Sequence, residues 1–170
     1  MVSTVLTADP QSPRAGGADR RVVEVAVGVL VRDDGAFLLT SRPAGKPYAG
    51  YWEFPGGKLE AGEDVRTALV RELREELGVE VLSARAWHDE MVDYPHALVH
   101  LHFWIVSGWE GELCMLEGQA FAWQQLPVEL EPILPGTIPV LAWFAQERGF
   151  RGPTYRVATR LNCSFPGSSV

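Results

Sequence analysis

The chain has 170 residues, 46% hydrophobic and 22% charged, which suits one globular domain and excludes disordered, collagen-like and disulfide-dense proteins. Its 15 Lys and Arg against 22 Asp and Glu give a formal charge of -7, which argues against wrapping nucleic acid or docking on anionic lipid. A small anionic ligand suits such a surface only where something cationic bridges the two.

Residues 1–21 are rich in Pro, Gly, Ser and Asp and lack the apolar stretch of a secretory signal, so they read as a mobile tail. Val22 to Arg32 (VVEVAVGVLVR) is β-branched and apolar, the pattern of a strand covered on both faces. Asp33-Asp34-Gly35 turns the chain, and Ala36 to Arg42 returns as a second strand. A Gly- and Pro-rich loop runs through Tyr48 and Trp52 to Pro55-Gly56-Gly57. Asp64 to Leu77 has the composition of a helix, with Gly78 placed for a left-handed C-cap. Glu80 to Tyr94 and Ala97 to Trp109 read as two further strands, Ala120 to Trp123 as a short one, and Thr137 to Arg148 as a second helix ended by Gly149. Strands interleaved with two helices predict one α/β domain over residues 22–149, followed by a C-terminal tail over 150–170. No run of about 18 apolar residues is present to span a membrane. Cys114 and Cys163 show no metal-binding spacing, and two isolated cysteines without a signal fit reduced thiols in the cytoplasm.

The chemistry concentrates in Gly57 to Val79, GKLEAGEDVRTALVRELREELGV. At about 100° per residue, Leu69, Val70, Leu73 and Leu77 share one arc, while Glu72, Glu75 and Glu76 occupy the neighbouring arc. Carboxylates that close repel one another and raise one another's pKa values. Clustered oxygen ligands on a rigid element suit hard divalent cations, and Mg²⁺ in particular binds through a few carboxylates plus substrate phosphates. Taken alone, the three glutamates could equally be a solvated face.

The spacing is more particular than a charge run. Gly57, Glu63, Arg71, Glu72, Leu73, Glu75, Glu76, Gly78 and Val79 fill all nine specified positions of the Nudix box, so the chain resembles a Nudix hydrolase. The resemblance implies a Nudix-type α/β/α sandwich with a mixed central sheet. It also implies that Glu72, Glu75 and Glu76 hold divalent metal, with the Gly56 carbonyl as a further ligand. Mg²⁺ is the expected ion, with Mn²⁺ as a substitute. Arg71 is expected to pair with Glu63 and orient the loop against the helix. The flanks at Val25 to Gly28, Arg42, Glu53 to Lys58, Trp109 to Glu112 and Glu117 to Gln119 resemble MutT-type nucleoside triphosphate pyrophosphatases, over roughly residues 22–147. In that branch the glutamate matching Glu117 reaches the metal from a separate loop, and either Glu72 or Glu117 serves as the base.

The substrate end is less determined. Lys58 either contacts a phosphate or is an exposed loop lysine. Arg42, Glu53, Phe54 and Thr137 are the candidate substrate-binding residues. Arg42 reads a base or sugar, or makes a surface ion pair; Phe54 packs on the base, fills core, or both. The 8-oxo-guanine enzymes of this branch carry Asn at the position of Thr137. A lone hydroxyl there puts that specificity in doubt, and Thr137 also fits a helix N-cap before Pro139. His100 and His102 share a strand face, yet no third ligand accompanies them at a recognised spacing, which argues against zinc. The expected activity is therefore Mg²⁺-dependent hydrolysis of a nucleoside triphosphate to monophosphate and pyrophosphate, by a monomer or dimer with no polymer or membrane partner. Hydrolysis of a nucleotide sugar or dinucleotide, or nucleotide sensing without catalysis, are the rivals.

Overall fold

In the computed structural model, which describes residues 4–17 and 19–157, eight strands and two α-helices follow one another. They are β1 (Leu6–Thr7), β2 (Val22–Leu30), β3 (Phe37–Ser41), β4 (Trp52–Glu53), β5 (Gly56–Lys58), α1 (Val65–Leu77), β6 (Glu80–Asp93), β7 (Leu98–Glu110), β8 (Phe121–Gln124) and α2 (Ile138–Arg148). The large sheet has the order β1-β6-β7-β2-β5, and a smaller antiparallel sheet has the order β4-β3-β8. The large sheet is mixed, because β2 runs parallel to β7 and β1 parallel to β6 while the other pairs are antiparallel.

Alternation along β2 decides what lies on each face. Ala26 and Leu30 pack against Leu69, Leu73 and Leu77 of α1. Val27 and Val29, with Phe103 and Ile105 of β7, pack on the other side against Phe37 and Leu39 of β3 and Val140, Leu141 and Phe144 of α2. The sheet is thus covered on both faces, the α/β sandwich that the resemblance implied. The expected turn at Asp33 to Gly35 forms, with the Arg32 N–H donating to the Ala36 carbonyl at 2.9 Å. Past the Val31–Phe37 bridge, however, β3 leaves β2 for the smaller sheet, and β5 takes the vacated edge along Val25 to Val27.

Helix α1 stops where its sequence says and starts one residue later than expected, with Asp64 as its cap. The Asp64 side chain accepts the Thr67 N–H at 2.7 Å, and Gly78 closes the helix in the left-handed conformation with φ 69°. At α2 the expectation of a threonine cap fails. A 3-10 turn over Pro135–Thr137 leads directly into the helix, Thr137 already has helical backbone angles, and its side chain makes no capping bond.

The N-terminal segment is also not the free tail its composition predicts. Its described residues lie along the edge that β6 leaves open: Leu6 and Thr7 pair with Val92 and Asp93, and Ala8 is buried among Val92, Tyr94, Val99 and Leu134. The Arg20 guanidinium bonds the Asp93 carboxylate and the Tyr94 carbonyl, and Arg14 donates to the Ala8 carbonyl at 2.7 Å. Backbone groups along a sheet edge want partners, and that demand outweighs a composition typical of loops. After α2, the Val128 N–H donates to the Thr154 carbonyl at 2.9 Å, which ties the start of the C-terminal segment to the domain. Residues 158–170, with Cys163, lie outside the described residues.

Candidate active site

Strand β5 carries the backbone between β2 and α1 at very close quarters. A Cβ on Gly56 would lie 2.1 Å from the Ala26 carbonyl oxygen, and one on Gly57 would lie 2.2 Å from the Glu72 carboxyl carbon. No side chain fits at either position, and the two glycines bring the loop against the glutamate face of α1. The Cys114 and Leu116 N–H groups donate to the Leu77 and Glu76 carbonyls at 2.9 and 3.0 Å, docking the loop that carries Glu117 on the last turn of α1. Gln119 steadies that loop by accepting the Glu117 N–H at 3.1 Å.

Together these elements wall a cleft of about 550 Å³. One end is lined by Gly56, Gly57, Lys58, Glu72, Glu75, Glu76 and Glu117. Glu76 is only 8% exposed and accepts the Gly56 N–H at 3.2 Å. Burial above all, then the charges of Glu117, Glu72 and Glu53, push its pKa up from 4.5 to about 8. The cations beside this cluster reach its other carboxylates: the Lys46 ammonium stands 3.6 Å from Glu117, and Arg71 contacts Glu72 and Glu75. A carboxylate so placed holds a proton or faces a cation, and the all-oxygen donor set fits a hard divalent ion.

Arg71 lies across the outer side of this cluster. Its guanidinium donates to Glu63 at 2.7 and 2.9 Å, to Glu72 at 2.8 Å, to Glu75 at 3.3 Å and to the Lys58 carbonyl at 3.0 Å. The Arg71 bond first, and then the Glu60 N–H, hold the Glu63 carboxyl down at about 2. Glu63 therefore pairs with Arg71, as the resemblance implied, and does not line the cleft.

The other end of the cleft is formed by Arg42, Tyr48, Glu53, Phe54, Tyr94, His96, Leu134 and Thr137, among others. The Arg42 Nη1 donates to both Glu53 carboxylate oxygens at 3.1 and 2.9 Å, and its Nε donates to the Pro47 carbonyl at 2.7 Å. Arg42 thus has an ion-pair partner and also faces the cleft. Burial raises the Glu53 carboxyl despite that guanidinium. Phe54 is 4% exposed, its ring 5.8 Å from Phe37, so it belongs to the core and to the cleft at once. Thr137 is 3% exposed, and Lys58 is exposed at the carboxylate end. Trp52 packs against the core and does not line the cleft.

Three wall residues carry no sequence signal of their own: Tyr48, Tyr94 and His96. Tyr48 stands at φ 58°, and its hydroxyl bonds Asp9 of the N-terminal segment. The Tyr94 hydroxyl accepts the Gly136 N–H at 2.9 Å, and the Tyr48 and Tyr94 rings are 5.5 Å apart. The partner of Tyr48 lies 39 residues away and that of Tyr94 lies 42 away, separations that local patterns do not reveal.

The NUDIX domain family matches residues 22–144. The CTP pyrophosphohydrolase of Escherichia coli (strain K12) is 40% identical over 132 residues, 77% of this chain and 97% of that protein. The 8-oxo-dGTP diphosphatase of the same organism is 35% identical over 121 residues, 71% and 94% of the two chains. Among solved structures, the E. coli ORF135 protein superposes with a TM-score of 0.65 at 39% identity, covering 78% of this chain and 94% of that one. The MutT NUDIX hydrolase of Burkholderia pseudomallei gives a TM-score of 0.62 at 28% identity, covering 69% and 93%.

Proposed function

Because this chain belongs to the NUDIX domain family, as a Nudix hydrolase of the MutT type, we propose that it cuts a nucleoside triphosphate to the monophosphate and pyrophosphate with Mg²⁺. One observation carries the reading: Glu72, Glu75, Glu76 and Glu117 face one cleft, and the innermost of them is starved of positive charge. Relatives named for CTP and for 8-oxo-dGTP support the substrate class and a role in clearing the nucleotide pool.

In this reading Glu72, Glu75, Glu76, Glu117 and the Gly56 carbonyl hold the ion. Bound Mg²⁺ offsets the charge of the phosphates, orients them and lowers the pKa of water. Arg71, anchored by Glu63, fixes the orientation of Glu72 and of the loop at Lys58. Lys58 faces the phosphates from the cleft rim. Water attacks a phosphorus of the α–β anhydride, its new P–O bond forming as the bond from that phosphorus to the bridging oxygen breaks, and its proton passes to Glu72 or Glu117. Pyrophosphate leaves, and the nucleoside monophosphate stays with the other half of the cleft. There Arg42, Glu53, Phe54 and Thr137 surround the nucleoside.

Pyrophosphate release over a panel of canonical and oxidised nucleoside triphosphates, with Mg²⁺, Mn²⁺ or EDTA, tests the proposal. The expected result is metal-dependent release that Glu76→Gln reduces by orders of magnitude with the fold intact. Full activity of that variant, or cleavage confined to nucleotide sugars or dinucleotides without pyrophosphate release, would overturn it.

A further inference from the structure

A second cluster of ligand-type side chains lies away from the catalytic cleft. It gathers Glu24 from β2, His100 and His102 from β7 and Asp89 from β6, three neighbouring strands of the large sheet. The parallel register of β2 and β7 sets Glu24 directly beside His100. By strand alternation these residues share the face of Ala26 and Trp104, whereas Val25, Val27, Leu101 and Phe103 point to the cleft on the opposite side. The sequence argued against a zinc site because no third ligand stood near the two histidines along the chain. The sheet supplies that ligand across the strands.

We propose that Glu24, His100 and His102 form a binding site for a borderline divalent transition metal such as Zn²⁺, distinct from the hard-cation site of the cleft. One ligand atom from each residue lies within 4.8 Å of the other two. The shared oxygen, Glu24 Oε2, stands 2.5 Å from His102 Nε2 and 3.1 Å from His100 Nδ1. Ligands about 2.0–2.1 Å from a tetrahedral zinc ion sit roughly 3.3 Å from one another, so Glu24 has to swing outward by less than about 1 Å. It is 44% exposed and free to do so. Asp89 Oδ2 lies 2.7 Å from His100 Nε2. A carboxylate that accepts a hydrogen bond from one ring N–H holds the proton on that nitrogen and leaves the lone pair of the other for metal, the usual support of a metal-bound histidine. That leaves His100 Nδ1 turned toward Glu24, and water completes the coordination. Imidazole donors also separate this site from the carboxylate cleft, since Mg²⁺ disfavours nitrogen and zinc accepts it. The Glu24 carbonyl accepts the Leu59 N–H at 3.0 Å, so the site joins β2 and β7 just beyond the strand that carries Gly56 to Lys58.

Zinc titration by calorimetry on the untagged full chain, with Mg²⁺ saturating the cleft, decides the matter. The expected result is one zinc equivalent in the wild type, in Cys114→Ser and in Glu76→Gln. A His100→Ala/His102→Ala variant should bind zinc at least about 100-fold more weakly while still releasing pyrophosphate with Mg²⁺, which reports a folded protein. Glu24→Gln, a change at the exposed ligand, should weaken zinc by about tenfold or more and serves if the double variant does not fold. Zinc binding unchanged in the histidine variant or in Glu24→Gln, or lost in Glu76→Gln or Cys114→Ser, would overturn the proposal.

Discussion

Glu76 makes the metal-free protein depend on pH in a direction that one substitution removes. The carboxyl is 8% exposed, and burial with three neighbouring carboxylates lifts its pKa from 4.5 to about 8. A folded-state pKa above the unfolded value means that the native protein binds the proton more tightly. Stability is therefore full below about pH 4.5, falls as the pH rises, and levels off above about pH 8. At about 1.36 kcal/mol per pH unit, that displacement amounts to roughly 5 kcal/mol. Glutamine at position 76 keeps an oxygen to accept the Gly56 N–H and carries no charge at any pH. Urea unfolding in EDTA should show wild type and Glu76→Gln nearly equal at about pH 5, with the variant several kcal/mol more stable at about pH 9. Saturating Mg²⁺ should close the gap by restoring the wild type alone. A difference that stays flat across this range would refute the reasoning, because it would mean that Glu76 carries no electrostatic penalty in the fold.

Three other substitutions probe the remaining contacts. Arg71→Ala frees Glu72 and Glu63 from their shared anchor and should lower kcat by about 10- to 100-fold with helical circular dichroism unchanged; retained kcat would rule out the orienting role. Thr137→Asn places an amide able to donate and accept along a purine edge in the cleft wall. It should raise kcat/KM for 8-oxo-dGTP relative to CTP by about tenfold, or about 1.4 kcal/mol, whereas an unchanged ratio would remove position 137 from base reading. Asp9→Ala loses the hydrogen bond that holds Tyr48 against the cleft and should raise KM by about fivefold at constant kcat, in proportion to roughly 1 kcal/mol. A fall in kcat with KM unchanged would place Tyr48 away from the substrate.

What the sequence revealed tracks how local each feature is. The glutamate face of α1 and its Gly78 stop depend on neighbours within one or two turns and are legible residue by residue, whereas Asp64, expected inside the helix, is its cap. Glu117 was legible through the resemblance alone, since only the docking of its loop on the Glu76 and Leu77 carbonyls brings it near. Thr137 misled for a definite reason: the Pro135-Gly136 turn ahead of it already brings the chain into helical geometry, so its side chain makes no capping bond and the residue lines the cleft. The Glu24 and His100 pair depends on a parallel register between strands far apart in the chain, and periodicity within either strand carries no trace of that partner. The N-terminal segment was misread on the same account, because its polar, Pro-containing sequence looks free until the open edge of β6 is known.

That segment separates two definitions of the domain. The family pattern begins at residue 22, yet Ala8 fills a space among Val92, Tyr94, Val99 and Leu134, and Arg20 fastens the end of β6. A protein cut at the family boundary would expose those apolar side chains beside the wall of the cleft. The unit that relatedness delimits is shorter than the packed unit of the structure. A truncation chosen from the family boundary alone would therefore examine a different molecule.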